Sequence, residues 1–423
     1  MQGVRAGLTA PAMRSIMEGN KRSEVPGAMR KPVLTLILAC ALAAAAGLCA
    51  AEPAAEITAR CALTVSGSAR YAAAMTDGRV TTRWKAGNGG DTWVEIACAE
   101  PIGGVYLQFN ESPPAWRAEV PDGDGWRTVY ESGGGFLHDT VIPEEPAQRL
   151  RIISSDKKKK LGVAELNVYG PGVMPETCQH WEPTHEKADI LFLATHPDDE
   201  LIFFGGAIPV YTAREDCRVV VAYLTNGGAQ RQHELLDGLW SMGVRHYPVI
   251  SPFPDFYGTS VEGTLAKMGG KHKVRAWVVA LVRRYRPEVA VTHAIGGEYG
   301  HPQHRIASDA MVRAWTTAVD PGYDRASYRT YGTWQMKKLY LHLWNENGIV
   351  MDWSRPIPSL GGVTGIEAAV RAFTFHHSQQ DAGMDVVHTG ARYDNTRFGL
   401  YASAVGPDEA GGDFLEHIAP GAE

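Results

Sequence analysis

The chain has 423 residues, 44% of them hydrophobic and 21% charged, with a formal net charge of -6. That balance excludes a wholly disordered chain, and the length is ample for two domains. The acidic surplus speaks against a general nucleic-acid binder or a protein held to anionic membranes, because such proteins carry a basic excess.

Met29-Arg30-Lys31, the apolar run 33–46 and the small residues around Cys49-Ala50-Ala51 read as a secretory signal. The expectation is therefore export, to the periplasm, the cell surface or the medium, with residues 1–50 forming an N-terminal extension and signal peptide. The apolar run is short for a spanning helix, so no transmembrane span is expected in the mature chain. Ile37-Leu38-Ala39-Cys40 loosely resembles a lipoprotein signal, but alanines continue past Cys40, which favours simple export over a lipid anchor. The polar stretch 1–28 precedes the signal and suggests Met29 as the start.

Cys40 and Cys49 fall in the signal, which leaves Cys61, Cys98, Cys178 and Cys217. An even number in an exported chain fits disulfides, and pairing within each domain joins Cys61 to Cys98 and Cys178 to Cys217. Three connectivities are open, and so are free buried thiols.

From 58 to 170 short alternating segments such as Trp93-Val94-Glu95-Ile96-Ala97 and Gly104-Val105-Tyr106-Leu107-Gln108-Phe109 are separated by turn residues, which predicts an antiparallel β-sandwich. Of its tryptophans, Trp116, after Pro113-Pro114, is expected to be exposed, and Lys157 to Lys160 to form a solvated hairpin tip. Thr76-Asp77-Gly78-Arg79-Val80-Thr81-Thr82-Arg83-Trp84 and Ala164-Glu165-Leu166-Asn167-Val168-Tyr169-Gly170 resemble the discoidin-like (galactose-binding-like) sandwich. The resemblance implies carbohydrate binding and puts Asp77, Thr82 and Glu165 forward as ligands of a structural calcium. An ordinary turn at Asp77-Gly78 is the other reading. Gly170-Pro171-Gly172 breaks the pattern, giving a sandwich over 51–171, a linker over 172–182 and a second domain over 183–423.

Beyond Trp181, strand-like runs at 190–194, 218–224, 247–250, 289–292 and 339–343 alternate with helical patterns at 232–242, 274–285 and 306–315. This texture predicts a Rossmann-like α/β domain with a mostly parallel sheet. The segment 251–270 reads as a loop long enough for a substrate lid.

The first strand run ends in Ala194-Thr195-His196-Pro197-Asp198-Asp199-Glu200, one imidazole and three carboxylates in a tight loop. His196-x-x-Asp199 is a spacing from which two side chains can converge on one metal, whereas carboxylates that merely favour a helix N-terminus are the plainer alternative. The fourth run is followed by Gly296-Gly297-Glu298-Tyr299-Gly300-His301-Pro302-Gln303-His304. Pro302 suits the first helical position, with His301 and His304 on one side of the first turn. Active sites in open α/β sheets form at the carboxyl ends of strands, and two such clusters together favour the functional reading.

At Thr195 to Glu200, at Arg231 with Glu234, at His301 to His304 and at His376-His377-Ser378-Gln379 the chain resembles the PIG-L or LmbE-like zinc-dependent N-acetylglucosaminyl deacetylases. The resemblance implies His196, Asp199 and His304 as zinc ligands and Asp198 as general base. It also implies His301 as general acid or electrostatic stabiliser, Tyr299 as an oxyanion contact, Arg231 as a substrate contact, and His376 as a structural residue or substrate contact. Gln303 stands where the family more often has Asp, so altered hydrogen bonding behind the ligands is expected. The implied partner is an acetylated amino-sugar glycan or glycoconjugate. An amidase acting on another amide conjugate, or a lectin-like protein with an inactive second domain, are the other readings.

Overall fold

The computed structural model describes residues 52–87, 91–386 and 389–421. The predicted signal, with Cys40 and Cys49, lies outside them.

The N-terminal strands are β1 (Cys61–Val65), β2 (Trp84–Lys85), β3 (Trp93–Ile102), β4 (Gly104–Phe109), β5 (Trp116–Asp122), β6 (Gly125–Ser132), β7 (His138–Val141), β8 (Ala147–Ser154) and β9 (Gly162–Tyr169). They form two antiparallel sheets, ordered β1-β3-β8-β5-β6 and β2-β9-β4-β7. Alternation puts Val94, Ile96, Leu150 and Ile152 of one sheet and Val105, Leu107, Val163 and Leu166 of the other into one shared core, so the region resembles a β-sandwich. Trp116 is not exposed: the register of β5 turns it inward against Phe109 and Tyr130. Trp126 lies outside instead, with the guanidinium of Arg151 over its ring at 4.2 Å. Lys157, Lys158 and Lys159 are exposed in the turn between β8 and β9, as expected.

Cys61 and Cys98 sit opposite each other in the β1–β3 register and form a disulfide. The expected partner bond between Cys178 and Cys217 does not exist. Both thiols are free and buried, Cys178 in a small cluster with Tyr106 and Tyr169, and Cys217 in the core of the C-terminal sheet.

The C-terminal region contains β10 (Ile190–Ala194), α1 (Asp199–Ile202), α2 (Ala207–Thr212), β11 (Val219–Tyr223), α3 (Gly228–Ser241), β12 (Val249–Ile250), α4 (Val261–Lys267), α5 (Lys271–Tyr285), β13 (Val289–Thr292), α6 (Pro302–Thr317), α7 (Arg325–Tyr331), β14 (Lys338–His342) and β15 (Gly348–Val350). A small hairpin of β16 (Pro356–Ile357) and β17 (Val363–Thr364), α8 (Gly365–Phe373) and β18 (Arg397–Ser403) complete it. The sheet order is β12-β11-β10-β13-β14-β18-β15, with the first five strands parallel and β18 antiparallel to its neighbours. Both faces are covered: Ile190, Phe192 and Ala194 enter one apolar layer and Leu191 and Leu193 the other, which is why β10 reads as an unbroken apolar run. The chain leaves β10 toward β11 on one side and returns to β13 on the other, so the switch point of this sheet lies between β10 and β13.

About a third of the expected lid is helix. α4 is capped by the Ser260 side chain, which accepts from the Gly263 amide, leaving only 251–260 as open loop on its near side. The segment 172–182 is packed, with Gln179 and Trp181 buried. The N-terminal sheets reach the C-terminal core directly, because Leu137 belongs to the same apolar layer as Trp181 and Phe136 stacks on Tyr247.

Candidate active site

β10 and β13 deliver their following loops to the same end of the switch point. After β10 the backbone turns sharply at Asp198, whose φ of 126° is rare for a side-chain-bearing residue, and the Asp198 amide donates to Glu200 Oε2. The His196 amide donates to Asp199 Oδ2, and the Thr195 amide donates across to Nε2 of His293, the residue following β13. These bonds hold the loop with the His196 imidazole and the Asp199 carboxylate beside one point.

Three atoms meet there. His196 Nδ1 is 3.0 Å from Asp199 Oδ2, His304 Nε2 is 3.1 Å from His196 Nδ1, and His304 Nε2 is 3.2 Å from Asp199 Oδ2. Ligand atoms on a tetrahedral zinc with bonds of ~2.0–2.1 Å stand about 3.3–3.4 Å apart, so the triangle fits such an ion. The hydrogen bonds behind the triangle set the tautomers. His304 Nδ1 donates to Glu298 Oε2 at 2.8 Å, which leaves its Nε2 as a lone pair. The Gln303 side-chain amide donates to the Pro254 carbonyl, turning its oxygen toward His196 Nε2 at 3.0 Å, so His196 offers its Nδ1 lone pair. Three buried acceptors with only lone pairs between them repel one another unless a cation joins them.

The field of the pocket agrees. Although burial works the other way, Asp199 and Glu298 raise His304 to about 10. Against its own burial, Asp199 is held well below the carboxylate range by His304 and His196. The pocket therefore retains a positive charge, either a proton or a metal that displaces it. Two other trios lie within reach of one ion: His196, His301 and His304, in which His301 Nδ1 accepts from the Gln303 amide, and Asp199, His293 and His304, in which His293 Nε2 accepts from the Thr195 amide.

Glu298 anchors the arrangement. Its buried carboxylate accepts from His293 Nδ1 at 2.7 Å, His304 Nδ1 at 2.8 Å, His342 Nδ1 at 2.6 Å and the Ala294 amide at 3.0 Å. Sequence reasoning missed Glu298, His293 and His342. Their signals were position after a strand for His293, the end of β14 for His342, and the Gly296-Gly297 and Gly300 flanks of Glu298.

Asp198, beside the triangle, is pushed up to about 7 by burial and by Asp199, against the charge of Arg231. Arg231 Nη2 lies 3.0 Å from Asp198 Oδ2 and donates to the Pro197 carbonyl, while Nη1 donates to Asp255 Oδ2 at 2.5 Å. Asp255 is a further residue that the sequence did not mark. His301 accepts the Gln303 amide on Nδ1, and burial together with His196 and His304 pushes it down to about 3, so it presents Nε2–H as a neutral donor. Tyr299 is 46% exposed with φ 45°, its ring 5.3 Å from that of His304. His376 is placed apart from these residues: it is fully buried, with Nε2 3.8 Å from Glu200 Oε1, and contacts the loop from behind.

The N-terminal trio is also brought together. Thr82 Oγ1 donates to Asp77 at 2.8 Å, and the Arg79 amide lies 3.0 Å from Asp77 Oδ1 and 2.8 Å from Glu165 Oε1.

Residues 191–315 match the family described as "PIG-L: GlcNAc-PI de-N-acetylase". The chain is 30% identical over 179 residues to a 1D-myo-inositol 2-acetamido-2-deoxy-alpha-D-glucopyranoside deacetylase of Frankia casuarinae, a match covering 36% of this chain and 57% of that protein. The chain thus spans little more than half the length of that relative. Among solved structures it is similar to an N,N'-diacetylchitobiose deacetylase from Pyrococcus horikoshii, with 18% identity, a TM-score of 0.35, and coverage of 45% of this chain and 71% of that one. It is also similar to an F5/8 type C domain from Bacteroides fragilis, with 17% identity, a TM-score of 0.24, and coverage of 28% of this chain and 98% of that one. The chain carries a PIG-L family domain at residues 191–315.

Proposed function

We propose that this protein is an exported zinc-dependent hydrolase that removes the acetyl group from an N-acetylated amino sugar of a glycan or glycoconjugate. The observation that carries this reading is the triangle of lone pairs formed by His196 Nδ1, Asp199 Oδ2 and His304 Nε2. The PIG-L match, and a relative named for deacetylating an acetamido sugar, support the choice of reaction.

Bound by these three residues, zinc supplies a Lewis acid that polarises the amide carbonyl and acidifies water. The remaining steps belong to the chain. Asp198, raised to about 7, is poised near neutral pH to take a proton from the attacking water and return it to the amine as the C–N bond breaks. Arg231 orients that carboxylate from the side. Tyr299, exposed at the mouth, donates its hydroxyl toward the carbonyl oxygen as charge gathers there. His301 contributes its Nε2–H as a neutral donor to the polar atoms of the substrate, which favours the stabiliser role over the acid.

The N-terminal sheets, assigned as a domain over 51–171, serve in this reading to hold carbohydrate, with calcium bound by Asp77, Thr82 and Glu165 supporting their loops; residues 183–423 form the deacetylase domain. The experiment is incubation of the purified chain with N-acetylglucosamine conjugates while acetate and free amine are quantified. Equal release of both, lost in Asp198→Asn, is the expected result. No release from any acetylated sugar overturns the reading.

A further inference from the structure

His301 packs against two exposed tyrosines. The ring centroids of Tyr257 and Tyr299 each lie 5.5 Å from that of His301, at interplanar angles of 75° and 70°. Tyr257 is 81% exposed, the highest value among the exposed large hydrophobic side chains of the described residues, and Ile295, on the β13 side, is 47% exposed. Single exposed apolar groups are ordinary, but two exposed tyrosines packed on the same buried histidine of the site form a surface with a purpose.

The support beneath Tyr257 separates it from a loose loop tip. The carbonyl of Pro254 accepts from Gln303 Nε2 at 3.0 Å, and the Asp255 carboxylate holds Arg231 Nη1 at 2.5 Å. Phe256 packs against the apolar layer under α5 and α6. Immediately after, Gly258 lies so close to Thr264 that an added Cβ meets its Oγ1 at 2.0 Å. Asp255 and Phe256 before Tyr257 are half-buried and Gly258 after it is buried, so the tyrosine ring stands out from a held backbone. The result is an aromatic ring on an anchored backbone, edge-on to His301.

We propose that Tyr257 is the stacking platform for the pyranose ring of an N-acetylated amino sugar, and so sets affinity for the sugar without taking part in the chemistry. The proposal rests on the deacetylase reading of the site. A pyranose presents axial C–H bonds on one face, and these positive edges suit the negative face of a neutral aromatic ring. The Tyr299 ring lies 5.3 Å from that of His304, a residue of the triangle, and so stands by the reacting amide, whereas Tyr257 touches only His301 among these rings; the sugar therefore lies toward Tyr257 once its acetamido group enters the triangle of His196, Asp199 and His304.

The test compares wild type, Tyr257→Ala and Tyr257→Phe on the methyl glycoside of N-acetylglucosamine and on N-acetylethanolamine, an acetamide without a ring. Because the side chain is exposed, all three proteins are expected to fold alike. Tyr257→Ala is expected to raise KM for the glycoside about 10-fold with kcat within about 2-fold, Tyr257→Phe to match wild type, and the ring-free acetamide to show no change. Unchanged KM in Tyr257→Ala, equal impairment in Ala and Phe, or equal loss on both substrates overturns the platform. NMR titration of the same glycoside separates the two readings. If wild type releases no acetate yet binds the glycoside and Tyr257→Ala does not, the platform stands and the deacetylase reading falls. If wild type does not bind the glycoside, the platform falls.

Discussion

Nε2 of His138, on β7, lies 2.6 Å from Nδ1 of His233, on α3, and both imidazoles are buried. The same helix carries Arg231, which holds Asp198, so this hydrogen bond connects the N-terminal sheets to the loop that carries His196 and Asp199. Burial keeps both rings neutral: it lowers His233 to about 4, and burial with His233 lowers His138 well below its usual value. The groups facing them are the Tyr106 hydroxyl, 2.8 Å from His138 Nδ1, and Asp237 Oδ1 at 3.7 Å, which Gln179 also contacts.

Folded values below the ordinary one make the pair stabilising above about pH 6.5, and that stability is lost as pH falls toward 4; for His233 the loss is roughly 2 kcal/mol at pH 5. Asp237, pushed up to about 7 by burial, titrates with the opposite sign, but it does so in wild type and variant alike. Thermal melts should show His233→Gln less stable than wild type at pH 7, with the gap closing by several degrees at pH 5. A gap that does not change with pH contradicts the account.

Asp198→Asn should keep both the fold and the metal while losing most acetate release, because an amide cannot take a proton from water. A loss of about 10²- to 10⁴-fold in kcat is expected. Metal content is measured alongside. Near-normal turnover would show that Asp198 only shapes the turn after β10.

Much of this was legible in the sequence because buried parallel strands write themselves as apolar runs. β10 and β13 appear with the bounds expected, and the ligand-bearing loops follow them directly. What stayed hidden depends on sheet order. Glu298, His293 and His342 become one network only because β10, β13 and β14 are neighbours, and Asp255 reaches Arg231 from a loop with no periodicity. Trp116 shows the limit of local signals, since a strand's register decides which face a side chain takes. The absent bond between Cys178 and Cys217 shows another: an even cysteine count does not place two thiols side by side.

Gln303 offers a check on the tautomer argument. Gln303→Leu removes the acceptor for His196 Nε2–H, so metal affinity should fall about 10- to 100-fold in competition with a chromophoric chelator. Gln303→Asp, which restores an acceptor, should recover most of that loss. Equal affinity in all three proteins would mean that His196 is oriented by other contacts.

Glu165 is raised to about 7, chiefly by burial, and a raised carboxyl stabilises the fold at low pH, an effect lost as pH rises through 7. Calcium, by favouring the charged form, should raise the melting temperature more at pH 8 than at pH 6. Glu165→Gln should respond weakly at both. A calcium response that is equal in wild type and variant removes the site.

The most direct measurement of the central claim is acetate release from an N-acetylglucosamine conjugate by one preparation in three states: as purified, after chelation, and after zinc is returned. The account predicts activity, loss and recovery in wild type, with zinc restored to about one per chain. In His304→Ala it predicts neither zinc retention nor recovery. Full activity after complete removal of metal, or undiminished zinc binding by His304→Ala, would contradict it.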